Sequence, residues 1–117
     1  MRKRNVCLAA LERMRGIASD IQLSDVLVFL YVAENEGINI RELAQLTRLD
    51  PSTASRVARR LATDSSPESL PPALGLFEIR VQPTDRRGRN IYLTPIGSEL
   101  RKSVDDLIAA GAPILLR

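Results

Sequence analysis

Six polar residues crowd one short stretch of the chain. Ser52, Thr53, Ser55, Arg56, Arg59 and Arg60 lie between Pro51 and Leu61. Ala54, Val57, Ala58 and Leu61 fall between them at i, i+3, i+4 and i+7, the spacing of a narrow apolar stripe on a helix. A helix over 51–62 therefore turns the four apolar residues inward and the six polar ones outward. Short hydroxyl side chains at its N-terminal end allow close approach to a polyanion, and the free N–H groups there can hold a phosphate. Arg56 is placed to donate two hydrogen bonds to O6 and N7 of a guanine, a pairing worth about 1–3 kcal/mol of discrimination. Arg59 and Arg60, further along, are expected to contact phosphates. Taken alone, the same pattern also describes an amphipathic helix with a solvated basic face.

A second basic group lies at 83–90. Thr84-Asp85-Arg86-Arg87-Gly88-Arg89 places three arginines at a turn that needs none for stability. Arginine at a protruding tip suits a narrow minor groove, where negative potential is concentrated. Asp85 is a poor contact for DNA and is assigned to bracing Arg87. The whole chain carries a formal charge of +3, yet residues 39–61 alone hold five arginines against Glu42 and Asp50. Residues 76–92 hold four more against Glu78 and Asp85. Charge concentrated in two segments fits a polyanion partner and a solvated surface equally well.

Other chemistry finds little support. Histidine is absent and Cys7 is the one cysteine, which excludes an internal disulfide and leaves no ligand set for structural zinc. The carboxylates are scattered, no glycine loop cradles a phosphate, and no nucleophile has a partner base, so the expectation is no enzyme, no metal and no cofactor. Phe29, Tyr31, Phe77 and Tyr92 are too few to form a stacking platform for single strands. Met1 to Leu11 has a basic front and a short apolar run, but Glu12 and Arg13 interrupt it too early for a signal peptide or a membrane span. A soluble, cytoplasmic protein is expected.

The elements that must position these groups can be read from periodicity and caps. With 117 residues there is room for one domain, 1–117. Val6, Ala10, Met14 and Ile17 predict a first helix from Asn5 to Gly16. Ser24 is read as the N-cap of a second helix, whose run Val26–Ala33 suggests burial on most sides. Asn35, Glu36 and Gly37 end it, with Gly37 suited to a left-handed C′ position. Asn39 and Glu42 form a capping box for a short third helix, Arg48 and Leu49 make a turn, and Asp50-Pro51 opens the helix described above. Thr63 to Ala73 is a polar, proline-rich loop. Phe77–Gln82 alternates with Phe77, Ile79 and Val81 on one face. Pro83–Gly88 interrupts, and Asn90–Leu93 resumes, predicting a β-hairpin. Thr94-Pro95 opens a last helix with Ile96, Leu100, Val104, Leu107 and Ile108 on one face, stopped by Gly111 and Pro113 ahead of an apolar tail, Ile114–Leu116.

A short helix turning into a second one is a helix-turn-helix unit, whose second helix can lie in the major groove. The motifs RELAQLT (41–47), DPSTASRVARRL (50–61), PTDRRGR (83–89) and LTPIG (93–97) resemble the MarR family of winged-helix transcription regulators over roughly Leu23 to Val104. The resemblance implies a mainly α fold with a small β-hairpin wing. It implies that Ser52, Thr53, Ser55 and Arg56 contact bases in the major groove, and that Arg87 enters the minor groove with Asp85 holding it. It further implies a homodimer built through the terminal helices, commonly acting as a repressor at a pseudo-palindromic operator on double-stranded DNA.

Three features depart from that family. The loop 63–73 is long, the chain ends soon after the helix from Pro95, and the shortened terminal helices remove much of the interface where effectors bind. A small-molecule effector is therefore not expected. Some family members sense oxidants through a cysteine on the first helix; Cys7 at helical spacing reads more simply as a small buried apolar residue. The competing reading is a winged helix used as a protein-interaction adaptor or antirepressor, with the apolar tail and the loop as its surfaces.

Overall fold

The computed structural model describes the backbone over residues 4–82 and 85–110 and the side chains over 7–81 and 88–109. Its order is α1 (Arg4–Arg15), α2 (Leu23–Glu34), α3 (Ile40–Thr47), α4 (Pro51–Leu61), β1 (Phe77–Gln82), β2 (Asp85–Leu93) and α5 (Pro95–Ala110). The result is a mainly helical, winged helix-turn-helix fold with an antiparallel two-stranded wing. Residues 111–117, with the expected helix stop at Gly111 and Pro113 and the apolar tail Ile114–Leu116, and the residues Pro83 and Thr84 lie outside the described residues.

The helix starts follow their caps, with one correction. α2 begins at Leu23, so Ser24 lies inside it; the cap is Gln22, whose N–H donates to the Asp25 carboxylate at 2.9 Å. A carboxylate three residues on supplies the reciprocal bond of a capping box, which sets the start earlier than Ser24 could. Val26, Val28, Phe29 and Val32 of α2 are buried, but Leu27 and Leu30 stay partly exposed. α3 starts on the Asn39–Glu42 box, with bonds of 2.8 and 3.2 Å. It ends on Arg48 at φ 59°, a left-handed residue that makes the sharp turn into α4. Asp50 caps α4 and Pro51 opens it, as the sequence predicts.

Gly37 takes a positive φ of 93°, but it does more than end α2. Its N–H donates to the Ile91 carbonyl at 2.8 Å, and Ile91 N–H donates to the Ile38 carbonyl at 2.9 Å. With a bridge from Asn39 to Asn90, the link between α2 and α3 runs alongside β2 and ties the helix-turn-helix to the wing.

The core gathers beneath α4. Ala54, Val57, Ala58 and Leu61 are all buried, as their spacing requires. The rings of Phe29 and Phe77 stack with centroids 6.2 Å apart, joining α2 to the wing root. Phe77 pairs with Leu93 and Ile79 with Ile91, which carries one wing face into the core, whereas Val81 emerges. The second strand is longer than the predicted Asn90–Leu93. The ladder is irregular between Val81 and Gln82, passing from Arg89 to Asp85 on the partner strand, and this bulge lets Asp85–Gly88 run as strand where a turn is expected. In α5 only Leu100 and Val104 of the expected face are buried; Ile96 is 57% and Ile108 54% exposed.

The close of the fold depends on Thr94 and Gly97. Thr94 donates its N–H to the Leu76 carbonyl at 3.0 Å and its hydroxyl to the Gly75 carbonyl at 2.6 Å. The same hydroxyl accepts from Gly97 N–H at 3.0 Å, capping α5. Helix and loop then lie so close that a Cβ on Gly97 would sit 2.2 Å from the Leu76 oxygen, which explains the glycine in LTPIG. Gly97→Ala must push two backbones apart and should lower the unfolding free energy by about 1–3 kcal/mol, read from urea denaturation. A change within roughly 0.5 kcal/mol would show that this contact is not tight.

Candidate nucleic-acid interface

The N-terminal half of α4 is presented outward on a rigid cap. The Asp50 carboxylate accepts from Ser52 N–H at 3.2 Å and from the Ser52 hydroxyl. That hydroxyl bond is the main cause, and with backbone N–H bonds from Thr53 and Ser52 and the positive charge of Arg56 it holds the Asp50 carboxyl below its ordinary value of 3.8, against the opposing effect of desolvation. Ser52 and Arg56 are exposed, and Thr53 and Ser55 are half-buried beside them. The Ser52 hydroxyl is thus used in capping and meets a partner through its lone pairs, whereas Arg56 extends a full fork of donors.

The C-terminal half is different, and here the outward reading of Arg59 and Arg60 needs correction. Arg60 Nη1 lies 3.3 Å from the Asp25 carboxylate, which is only 1% exposed. A buried carboxylate must be paired, and Arg60 is drawn across to α2 to do it. Arg59 Nε donates at 2.8 Å to the Glu68 backbone carbonyl. Both side chains are half-buried and engaged with the body of the protein.

In the wing, Arg89 Nε pairs with the Glu68 carboxylate at 3.1 Å and Nη1 donates to the Gly88 carbonyl. Arg86, Arg87 and Asp85 lie on β2, but their side chains, and with them the expected Asp85–Arg87 brace, lie outside the described residues. On the strand root, Arg80 stacks 4.1 Å over the Tyr92 ring and pairs with Glu78, which raises its already high pKa.

Two residues that matter to this site escape sequence reasoning. Asp25 carries a signal, since a lone acid within an apolar helix requires a buried partner. Glu68, in a Ser/Pro loop, carries none. Cys7 is exposed on α1, not buried as its spacing suggests. Among the described residues no group of three or more His, Cys, Asp or Glu could hold a metal ion, and no helix is long and apolar enough to cross a membrane.

The fold matches solved structures of winged-helix regulators. A MarR transcriptional regulator from Methanosarcina mazei Go1 aligns with a TM-score of 0.65 at 17% identity, over 86% of this chain and 63% of its own length. A MarR-like transcriptional regulator from Thermotoga maritima aligns with a TM-score of 0.63 at 24% identity, over 80% of this chain and 59% of its own. Reduced AbfR bound to DNA aligns with a TM-score of 0.62 at 20% identity, over 94% of this chain and 71% of its own. The chain thus spans about three-fifths of the first two structures, and the likeness is one of fold. No family model matches the sequence, and no curated protein matches it significantly.

Two outcomes test the anchoring of α4. Arg60→Ala leaves the Asp25 carboxylate buried without its cation and should cost about 2–3 kcal/mol of stability in urea denaturation, less than for a fully enclosed pair because Arg60 is partly exposed. The lowered Asp50 pKa means that its stabilising effect is complete above the ordinary value of 3.8 and is lost as pH falls through the lower folded value. Asp50→Asn caps comparably without titrating, so any wild-type advantage over it should vanish between about pH 5 and about pH 2. An advantage independent of pH would assign the effect to geometry alone.

Proposed function

We propose that the chain is a sequence-specific double-stranded DNA-binding transcription regulator. It acts as a homodimeric repressor on a pseudo-palindromic operator, with the helix over 51–62 in the major groove and the wing 83–90 in the minor groove. The observation that carries this reading is the division of α4. Its apolar stripe and C-terminal arginines are anchored in the body, while Ser52, Thr53, Ser55 and Arg56 remain on the presented end. A helix held this way offers its N-terminal residues to base edges at a fixed angle. Likeness of fold to reduced AbfR, a protein solved bound to DNA, supports a DNA partner.

Arg86, Arg87 and Arg89 supply the wing's positive charge, with Asp85 beside them. Arg59 and Arg60 act mainly in holding α4, so their part in DNA affinity is secondary. Pairing of two chains is supported by Leu8 and Leu11 on α1 and Ile108 on α5, large apolar side chains left exposed on packed terminal helices. A protein-interaction adaptor has one observation in its favour, the row of exposed leucines Leu23, Leu27 and Leu30 along α2.

Selection of bound duplexes from a random pool, followed by titration of single-base variants, separates the two. The regulator reading expects a pseudo-palindrome with half-sites about one helical turn apart and affinity that falls steeply with salt. Arg56→Ala should reduce discrimination at one base pair of each half-site about tenfold while leaving binding to random DNA nearly unchanged. An equal loss on selected and random DNA would remove Arg56 from base reading, and failure to enrich any sequence at low salt would favour the adaptor.

A further inference from the structure

The loop between α4 and β1 brings one acidic residue to the point where helix and wing meet. Glu68 is gripped twice. Its backbone carbonyl accepts from Arg59 Nε of α4 at 2.8 Å, and its carboxylate accepts from Arg89 Nε of β2 at 3.1 Å. The loop is itself fixed to α4 next door, where Leu70 N–H donates to the Arg59 carbonyl at 2.9 Å. Both side chains of the Glu68–Arg89 pair are about 30% exposed, so the contact is partly shielded from solvent and from salt. Arg89 stands where the wing bulge begins, opposite Val81, so a hold on Arg89 acts on the strand segment that leads to the tip.

The geometry points to Glu68 as a positioning residue that sets the distance and angle between reading helix and wing, and so determines sequence preference at the outer, wing-contacted base pairs. The inference rests on the DNA-binding reading above. Two elements that enter successive grooves must match the spacing of those grooves, and sequence-dependent groove width is read only if the wing arrives at a fixed place. The link is mechanically one-sided. Its backbone arm needs no particular side chain at 68, whereas its carboxylate arm does, so the two can be separated by mutation.

Glu68→Ala removes the carboxylate arm and keeps the carbonyl that Arg59 holds; Glu68→Gln keeps an oxygen acceptor without the charge. In the free full-length chain, amide hydrogen exchange should accelerate severalfold at 85–90 in Glu68→Ala, with less change in Glu68→Gln, while 70–76 and the unfolding midpoint stay as in wild type. On selected duplexes, Glu68→Ala should lose about tenfold in discrimination at the outer A·T steps and retain it at the base pair read by Arg56. Unchanged exchange at 85–90 would overturn the link. A parallel fall at inner and outer positions would overturn the specificity role, as would a uniform rise in affinity, the mark of a mere counter-charge. If wild type binds no duplex, the DNA reading fails and takes the specificity role with it, while the exchange data still decide whether Glu68 holds the wing.

Discussion

A helix leaves its last carbonyls without partners, and at the end of α4 four of them point into the protein. The carbonyls of Arg59, Arg60, Leu61 and Ala62 accept in turn from the N–H groups of Leu70, Leu74, Leu76 and Gly75, at 2.9, 3.0, 2.8 and 3.2 Å. Buried polar groups of this kind must be satisfied, and here the following loop does it with its own backbone. Much else depends on that stitching. It delivers Phe77 to its place against Phe29, which sets the root of the wing. It turns the Leu76 carbonyl towards Thr94, which starts α5 and requires glycine at 97. The segment that looks like an irregular insert is the frame on which three elements are hung.

Charge is distributed with the same economy. Nine arginines fall in the two basic segments, but Arg59, Arg60 and Arg89 each have an internal acceptor, on Glu68 or Asp25. Their net contribution to stability is modest, because removing charges from water offsets much of the attraction gained. What they provide is direction. A guanidinium with a fixed fork of donors, anchored at one end, defines an orientation that a lysine would not. The exposed end of α4 is left with Arg56 as its long donor, preceded by side chains short enough to let it reach.

How much of this is legible in the sequence depends on distance along the chain. The Asn39–Glu42 box, the Asp50-Pro51 start and the inward stripe of α4 are local, and they read directly. The start of α2 is local too, yet it falls at Gln22 and not at the expected Ser24, because the Asp25 carboxylate three residues on decides it, and Asp25 is also held from far away. Asp25 and Arg60 are separated by 35 positions and Glu68 and Arg89 by 21, with no periodicity to relate them. The pairing of Gly37 and Ile38 with Ile91 is equally remote. A bulge hid the true length of β2, because alternation fails where the ladder slips. At the candidate site the residue types were readable, but which arginines face outward was not, since their partners lie on other elements.

The bridge between Ala62 and Phe77 has a consequence for how the chain reaches this state. The hairpin can zip from its own turn, a local event, and α3 and α4 can pair across a tight corner. Joining the two requires closing the whole intervening loop, an entropic hurdle that local pairing does not reduce. The carbonyl ladder, the ring stack and the Thr94 cap all lie next to that closure. The Ala62–Phe77 pairing is thus a non-local contact that joins two units whose other pairings are short in sequence.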